Sequence, residues 1–231
     1  MKMSNKRTKK TDLSALAAEV GARLERIYPV AECALDYKGD EWRLFVMARL
    51  SAQCTDKRVN EVSEALFAEI PTPKHAAEIS QERLEELIRS CGLYRMKAKD
   101  LKAMSQQLIN DFGGIVPDTV DELLTLSGVG RKIANLIVGD LYGKPAIVTD
   151  THCIRICGRL GFYPETLKDP YKVEKLLVKV IEPNEQSDFC HRIVQFGRDT
   201  CSARAPKCEE CNLKGICKKY EKDEKKRNTQ K

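Results

Sequence analysis

Apolar residues recur along most of the chain at the three- and four-residue spacing of amphipathic helices, and strand-like alternation is almost absent. The first apolar stripe runs from Leu13 to Ile27, and Asp12 is expected to cap it. Pro and Gly break the pattern between segments because both residues end helices. Helices are predicted over residues 12–28, 41–53, 57–70, 81–90, 95–112, 119–126, 131–142, 151–160, 170–181 and 185–197. The pattern predicts an all-α protein.

The sharpest break between two helices is the two-glycine stretch LSGVGRKIA, residues 126–134. A capping-box pattern over residues 119–122 starts a short helix before it. Gly128 and Gly130 allow a tight turn that exposes consecutive backbone N–H groups at a helix start, which suits a phosphate. Lys132 follows on the first turn of the second helix. An ordinary helix–helix turn with a solvated lysine is the alternative.

A second feature is the extended apolar segment at residues 145–150, which precedes another helix. Asp150 or Thr151 can cap that helix. The backbone around Asp150 would then be buried and its carboxylate would lie at a positive helix end. A simple capping role for Asp150 is the alternative.

Composition excludes several classes of protein. With 231 residues and 42% hydrophobic content, the chain can bury one large core or two modest ones. No apolar run approaches the ~18 residues of a membrane span, and no apolar signal core follows the basic amino end. A cytoplasmic protein with no membrane partner is expected.

The net charge of +6 comes from the two ends. Residues 1–10 carry five basic groups, and residues 214–231 carry eight basic and three acidic groups. The remainder has 27 basic and 31 acidic residues, so the core is formally acidic. Residues 1–10 and 219–231 are predicted to be disordered basic tails. Nucleic-acid binding must therefore rest on local features.

Four of the ten cysteines form a quartet with the spacing C-x6-C-x2-C-x5-C: Cys201, Cys208, Cys211 and Cys217. The other six are scattered, mostly among apolar neighbours, and are expected to be small buried side chains. Four soft thiolates close together indicate a metal centre. The spacing favours an iron–sulfur cluster, because a zinc ribbon usually has two C-x2-C pairs, and zinc remains the alternative.

Taken together, LSGVGRKIAN, VTDTH and the cysteine quartet resemble the endonuclease III family. These are base-excision DNA glycosylases with a helix-hairpin-helix element, a Gly/Pro-rich loop ending in aspartate, and a [4Fe-4S] cluster. The resemblance also covers LSAQCTD at residues 50–56, GLYRMKA at 92–98 and FGRDTC at 196–201. It extends from about residue 40 to residue 217, and the amino-terminal helix fits it too.

The resemblance implies a two-domain fold. A six-helix barrel domain would cover residues 35–148, with the helix-hairpin-helix at 119–142. A discontinuous cluster domain would cover residues 1–34 and 149–231, with the cluster loop at 201–217. The active site would lie in the groove between them.

The resemblance also implies the chemistry. Lys132 would attack C1′ of the damaged nucleotide, displace the base and form a Schiff base, which allows β-elimination of the 3′ phosphate. Asp150 would stabilise positive charge at C1′. The implied substrate is double-stranded DNA with oxidised pyrimidines or abasic sites. The implied protein is a monomer, associated with the nucleoid.

Matching positions assign the expected DNA contacts, which are Gly128, Val129, Gly130 and Arg131 in the hairpin, Gln53, Leu93, His152, Arg204 and Lys207. Gln53 and Leu93 match residues that fill the gap left by a flipped nucleotide. His152 matches a position near the lesion pocket, and Arg204 and Lys207 match phosphate contacts. Core packing for Leu93, capping or packing for His152, and solvated charge for the two basic residues are the alternatives.

Five positions depart from the family pattern. Ser127 replaces a usual proline, which predicts a less rigid turn. Ile133 replaces a common threonine, Arg49 a usual aliphatic residue, and Cys54 and Cys91 typical apolar residues near the DNA face. These departures bear on lesion preference and fine geometry.

Two rival functions remain. The related adenine glycosylase has glutamate where this chain has Arg49, lacks a lysine at position 132 and carries an extra carboxyl-terminal domain. A non-catalytic iron–sulfur protein that binds DNA or carries electrons would not need Lys132 or Asp150.

Overall fold

The computed structural model of the chain describes residues 4–229, with side chains from Asp12 onward. The described residues form twelve α-helices and three 3-10 turns, with no β-strand, which confirms the all-α prediction. The helices are α1 Ser4–Ile27, α2 Glu41–Leu50, α3 Asp56–Glu69, α4 Pro73–Glu78, α5 Gln81–Leu87, α6 Tyr94–Phe112, α7 Val120–Leu123, α8 Arg131–Asp140, α9 Thr151–Leu160, α10 Pro170–Leu177, α11 Gln186–Asp199 and α12 Lys218–Thr229. The 3-10 turns are Arg89–Cys91, Pro183–Glu185 and Lys214–Ile216.

The chain folds into two compact units. Unit 1 comprises Met1–Glu32 and Pro145–Lys231, and unit 2 comprises Cys33–Lys144. In the part of the chain that the structure describes, no helix combines the length and apolar character needed to cross a membrane.

Unit 2 is organised around α2, whose residues from Leu44 to Leu50 are all buried. This helix packs against α3, α6 and α8. Trp42, near its start, is 6% exposed, and its indole Nε1 donates to the carbonyl of Ile70 at 3.0 Å. Because α2 is buried and packs against α8, it supports the second helix of the two-glycine hairpin.

Unit 1 is organised around α9, which packs against α11 and α12, while α1 packs on α11. Gly197 on α11 lets α9 approach closely, since a Cβ there would lie 2.6 Å from His152 Cδ2. Cys153, Cys157 and Cys190 are buried in this unit, as expected of small core side chains. Cys91 in unit 2 is buried too, but Cys33 and Cys54 are only half-buried, contrary to the prediction.

Two predicted ends of the chain are corrected. Asp12 does not cap α1, and residues 4–10 are not a disordered tail. The helix continues through them back to Ser4, because residues 4–11 contain no Pro or Gly. Residues 218–229 form α12 instead of a disordered tail, stabilised by ion pairs of Lys219 with Asp223 and of Arg227 with Glu209, both at 2.9 Å. Residues 1–3 and 230–231 lie outside the described residues.

One internal helix is missing from the prediction, the six-residue α4. Its signal was Thr72-Pro73, because proline is favoured at the first position of a helix and disfavoured later.

Candidate active site

The hairpin consists of α7, the turn at residues 124–130 and α8. Thr119 caps α7 as predicted, accepting from the Glu122 N–H at 3.3 Å. Gly128 has φ +74°, in the left-handed region, and Gly130 is the N-cap of α8 with extended backbone. Gly128 and Gly130 are exposed, whereas the Val129 side chain is buried. The backbone of the turn therefore faces solvent while its one large apolar side chain anchors it.

Lys132 lies on the first turn of α8, immediately after this turn, and its side chain is exposed. The neighbouring residues Ile133 and Ala134 are buried and fix the helix in unit 2. Arg131 is half-buried. Because the apolar face of α8 is buried, the Lys132 side chain points into solvent.

Polar side chains from α2 and α6 support the turn from below. Gln107 Oε1 accepts from the Ser127 N–H at 2.8 Å, and its Nε2 donates to the Thr125 carbonyl at 3.3 Å. Arg49 donates from Nε and Nη2 to Asp100 Oδ2 at 3.1 and 2.5 Å. Sequence reasoning had marked Arg49 as unusual but had not identified its partner.

Asp150 is the N-cap of α9, one of the two caps proposed for that helix. Residues 146–149 before it are buried, and its Oδ1 accepts from the Cys153 N–H at 2.7 Å. Its Oδ2 lies 2.9 Å from Nδ1 of His152. Only 15% of the Asp150 side chain is exposed. The carboxylate is therefore held by a helix end on one oxygen and by an imidazole on the other.

Gln53 and Leu93 are two of the three non-glycine residues with positive φ among those described, at +54° and +47°. Both side chains are exposed, Leu93 by 48%. The core-packing alternative for Leu93 is therefore wrong, since a leucine buried in the core would not leave half of its surface in solvent.

Lys97 lies on α6, one turn after Leu93, and is fully buried. Its Nζ donates to the carbonyls of Leu50 and Cys91, both at 2.8 Å, and burial lowers its pKa. Burial and the neighbouring Cys54 thiol raise the pKa of Cys91 to about 11. Lys97 thus ties the end of α2 to the turn before Leu93, a role that sequence reasoning did not identify.

The four cysteines of the quartet line one apolar cavity in unit 1, together with Ile156, Leu160, Phe196 and Leu213. Burial raises the pKa of Cys211 and Cys217, and the charges of the other thiols raise it further. Among the described residues, no three His, Cys, Asp or Glu side chains form a site for a single metal ion. The donor set fits a cluster of four irons, which takes one thiolate for each iron and needs a dry, sulfur-lined cavity.

Two arginines of α9 hold the loop that carries the quartet. Arg155 donates to the Cys201 carbonyl at 3.1 Å, and Arg159 donates to Cys201 Sγ at 3.2 Å and to the Ser202 carbonyl at 2.8 Å. Arg204 and Lys207 in this loop are exposed. Neither arginine of α9 was singled out from the sequence.

The predicted site residues are divided between the two units. Unit 2 carries Lys132, the hairpin turn, Gln53 and Leu93, and unit 1 carries Asp150, His152 and the cysteine loop at residues 201–217. Within unit 1 the structure brings Asp150 and His152 into direct contact.

Comparison with known proteins gives a consistent result. Residues 46–183 match the family described as HhH-GPD superfamily base excision DNA repair protein. Endonuclease III of Synechocystis sp. is 40% identical, over 94% of this chain and 94% of its own length. Endonuclease III of Bacillus subtilis is 42% identical, over 87% of this chain and 90% of its own length.

Solved structures agree with these relatives. A trapped endonuclease III–DNA covalent intermediate is 38% identical, with a TM-score of 0.86 over 91% of this chain and 98% of that chain. A non-covalent endonuclease III–DNA complex has the same identity and TM-score, over 92% and 98%. A thermostable thymine-DNA glycosylase, 20% identical with a TM-score of 0.80, shares the fold.

Proposed function

This chain belongs to the endonuclease III family of HhH-GPD base excision DNA repair proteins, and we propose that Lys132 and Asp150 carry its DNA glycosylase and AP-lyase reaction. The observation that carries the proposal is the presentation of Lys132. Its exposed amine follows directly on the two-glycine turn, where a phosphate would bring the sugar of a bound nucleotide within reach.

Lys132 supplies the nucleophile. Its neutral amine attacks C1′, the glycosidic bond breaks, and the base leaves with the bonding electron pair and a proton. The C1′–O4′ bond of the resulting glycosylamine then breaks, O4′ takes a proton, and the imine that forms acidifies the proton on C2′. Loss of that proton expels the 3′ phosphate by β-elimination and cuts the strand.

Asp150 supplies the negative charge. Cleavage of the glycosidic bond leaves positive character at C1′, and a fixed carboxylate stabilises that charge without reorganising. The helix cap and His152 hold both oxygens of Asp150 in place before substrate arrives. Capping and catalysis are compatible, because the two oxygens have different partners.

DNA would be held by the backbone of the hairpin turn (Gly128, Val129, Gly130 and Arg131) and by Arg204 and Lys207. Gln53 and Leu93 would fill the gap left by the extruded nucleotide. Their support is exposure combined with left-handed backbone, a strained conformation for non-glycine residues that is concentrated at functional sites.

The cysteine loop would hold a [4Fe-4S] cluster through Cys201, Cys208, Cys211 and Cys217. When bound, the cluster supplies four iron–sulfur bonds that fix the loop. Arg155 and Arg159 fix the start of the same loop from the protein side. This support would hold Arg204 in position to contact the DNA backbone.

Family membership supports oxidised pyrimidines and abasic sites in double-stranded DNA as substrates. The retention of a lysine at position 132 favours the lyase over the adenine glycosylase and over a non-catalytic protein. We infer that the protein acts as a monomer in the cytoplasm, on nucleoid DNA.

Borohydride trapping tests the reaction. On duplexes with thymine glycol or an abasic site, borohydride should reduce a Lys132 imine and cross-link the protein to DNA. Lys132→Gln should lose trapping and strand cleavage while duplex binding persists. Asp150→Asn keeps the cap and should slow both steps ~100-fold, because it removes the charge beside C1′.

A duplex with an adenine mismatch serves as the substrate control and should not be cleaved. The amino terminus is the other possible nucleophile. Trapping of Lys132→Gln at the native rate would show that the amine of Lys132 is not the nucleophile.

A further inference from the structure

The turn of the hairpin is tied to α6 by one amide side chain. Gln107 accepts from the Ser127 N–H at 2.8 Å and donates to the Thr125 carbonyl at 3.3 Å. A single glutamine can satisfy both groups because its amide carries an acceptor and donors side by side. These two bonds fix the backbone on either side of Leu126, the last residue before Ser127.

A second polar group lies under the next residue of the turn. The side chains of Arg49 and Asp100 are 7% and 22% exposed and form an ion pair. A Cβ on Gly128 would lie 2.5 Å from Arg49 Nε and 2.8 Å from Asp100 Oδ2. Gly128 therefore lies in direct contact with the ion pair. The ion pair sets the distance of the turn from α2 and α6.

We propose that Gln107 and the Arg49–Asp100 pair are positioning residues that hold the hairpin turn in its phosphate-binding shape. The inference rests on the proposed function, in which the turn binds DNA backbone. In the structure Gln107 bonds to the backbone of the turn, and Arg49 and Asp100 bond to each other. Gln107 and the ion pair act on the backbone of residues 125–128. Through that backbone they set the position of Lys132 at the start of α8.

The residue at position 127 explains why such a brace is needed. Proline at this position, usual in the family, would restrict φ but would have no N–H. Ser127 lacks the ring restraint and instead offers an N–H, which Gln107 binds. The sequence alone predicts a less rigid turn. The hydrogen bonds of Gln107 supply the restraint that the proline ring would otherwise give.

A double-mutant cycle between Gln107 and Ser127 tests this exchange. Gln107→Met should raise the Kd for a duplex with a non-cleavable abasic analogue ~10-fold, since it removes both bonds to the turn. Adding Ser127→Pro should return the Kd to within ~3-fold of the native value, since the ring restores the restraint. Gln106→Met is the matched control, because exposed Gln106 bonds to Asn110 on its own helix and, among the described residues, not to the turn.

A second readout separates positioning from general stability. In folded Gln107→Met, the slope of log Kd against log salt should fall by about one phosphate contact. Thermal unfolding identifies variants that do not fold. For that case Gln107→Glu, which keeps the acceptor for Ser127 and loses the donor, should bind with intermediate affinity.

The Arg49–Asp100 ion pair is tested separately. Asp100→Asn keeps the shape but removes the charge and should weaken duplex binding several-fold, whereas Asp111→Asn, exposed on the same helix, should not. Additive effects of Gln107→Met and Ser127→Pro, or duplex binding by Gln107→Met equal to that of Gln106→Met, would overturn the inference. Failure of Lys132 to trap DNA would reject the reaction proposed above while leaving the duplex-binding cycle decisive.

Discussion

The hairpin turn of unit 2 and the cysteine loop of unit 1 are supported in different ways. The hairpin turn is completed by the chain itself: Gln107 and the Arg49–Asp100 pair satisfy its polar groups and set its height. The cysteine loop is supported at its start by Arg155 and Arg159, but its four thiols surround an apolar cavity. One region is completed by its own side chains, whereas the other gathers four thiols around one cavity, where the proposed cluster would bind.

Under the proposed function, these are two ways of presenting positive groups to DNA. A turn braced by hydrogen bonds should form as soon as unit 2 folds, and its loss should follow single side-chain changes. A loop closed around a cluster should form only when the cluster is present, because the binding free energy of a structural metal site contributes to folding.

The largest effect is expected from breaking the cysteine loop. Cys208→Ser removes one cluster ligand, and we expect iron to fall from about four atoms per chain to less than one. Soluble yield should drop about tenfold, together with duplex affinity, since a structural metal site contributes folding free energy. Iron analysis and visible absorbance measure the first effect, and a binding titration measures the second.

Cys33→Ser is the matched control, because Cys33 is a half-buried thiol of unit 2 outside the quartet. It should retain all of the iron. One zinc per native chain, without visible absorbance, would contradict the cluster.

A smaller effect is expected from changing the charge of the hairpin turn while leaving its shape. Gly130 caps α8 without a side chain, and a Cβ there meets nothing within 4 Å. Gly130→Asp should leave the free energy of unfolding unchanged or raise it by a few tenths of a kcal/mol, because aspartate is a good N-cap. Duplex affinity should nevertheless fall ~100-fold, since like charges brought together cost several kcal/mol.

Gly130→Ser is the control for this change, since serine caps a helix without adding charge. Chemical denaturation and duplex titration are measured for both variants. Equal affinities of the aspartate and serine variants would show that no phosphate lies at this turn.

The smallest effect is expected from shortening α12. Removal of residues 222–231 takes away five basic and two acidic residues but keeps Lys219 and Tyr220, which line the cysteine cavity. Non-specific affinity should fall a few-fold and its salt dependence should flatten, because fewer counterions are released. Turnover at a lesion should largely survive in a single-turnover assay.

Arg227→Met separates lost charge from lost packing, because it breaks the pair with Glu209 while keeping the helix. Abolished turnover in the shortened chain, with Arg227→Met fully active, would place part of the DNA-binding surface on α12.

Local rules were sufficient where an element is decided by neighbouring residues. The cap at Thr119, the cap at Asp150 and the end of α9 at Gly161 follow from short-range hydrogen bonds and from backbone sterics. The spacing of the cysteines likewise predicted that they would come together, as the shared cavity confirms.

The supporting groups could not be predicted because their partners are distant in sequence. Arg49 meets Asp100 across 51 positions, and Arg155 meets the Cys201 carbonyl across 46. In the sequence these residues look like any other charged residue, because only the folded chain brings them to their partners. The C-terminal helix was missed for a related reason: its composition indicates disorder, while its pair with Glu209 forms only once the cysteine loop is folded.

Trp42 gives the molecule a spectroscopic asymmetry. It is the only tryptophan of the chain, it lies in unit 2, and its indole is shielded from water with its N–H bonded to Ile70. Its emission will therefore shift to longer wavelength when unit 2 opens. Absorbance of a bound cluster would report unit 1 in the same sample. A single denaturant titration would then follow the unfolding of each unit separately.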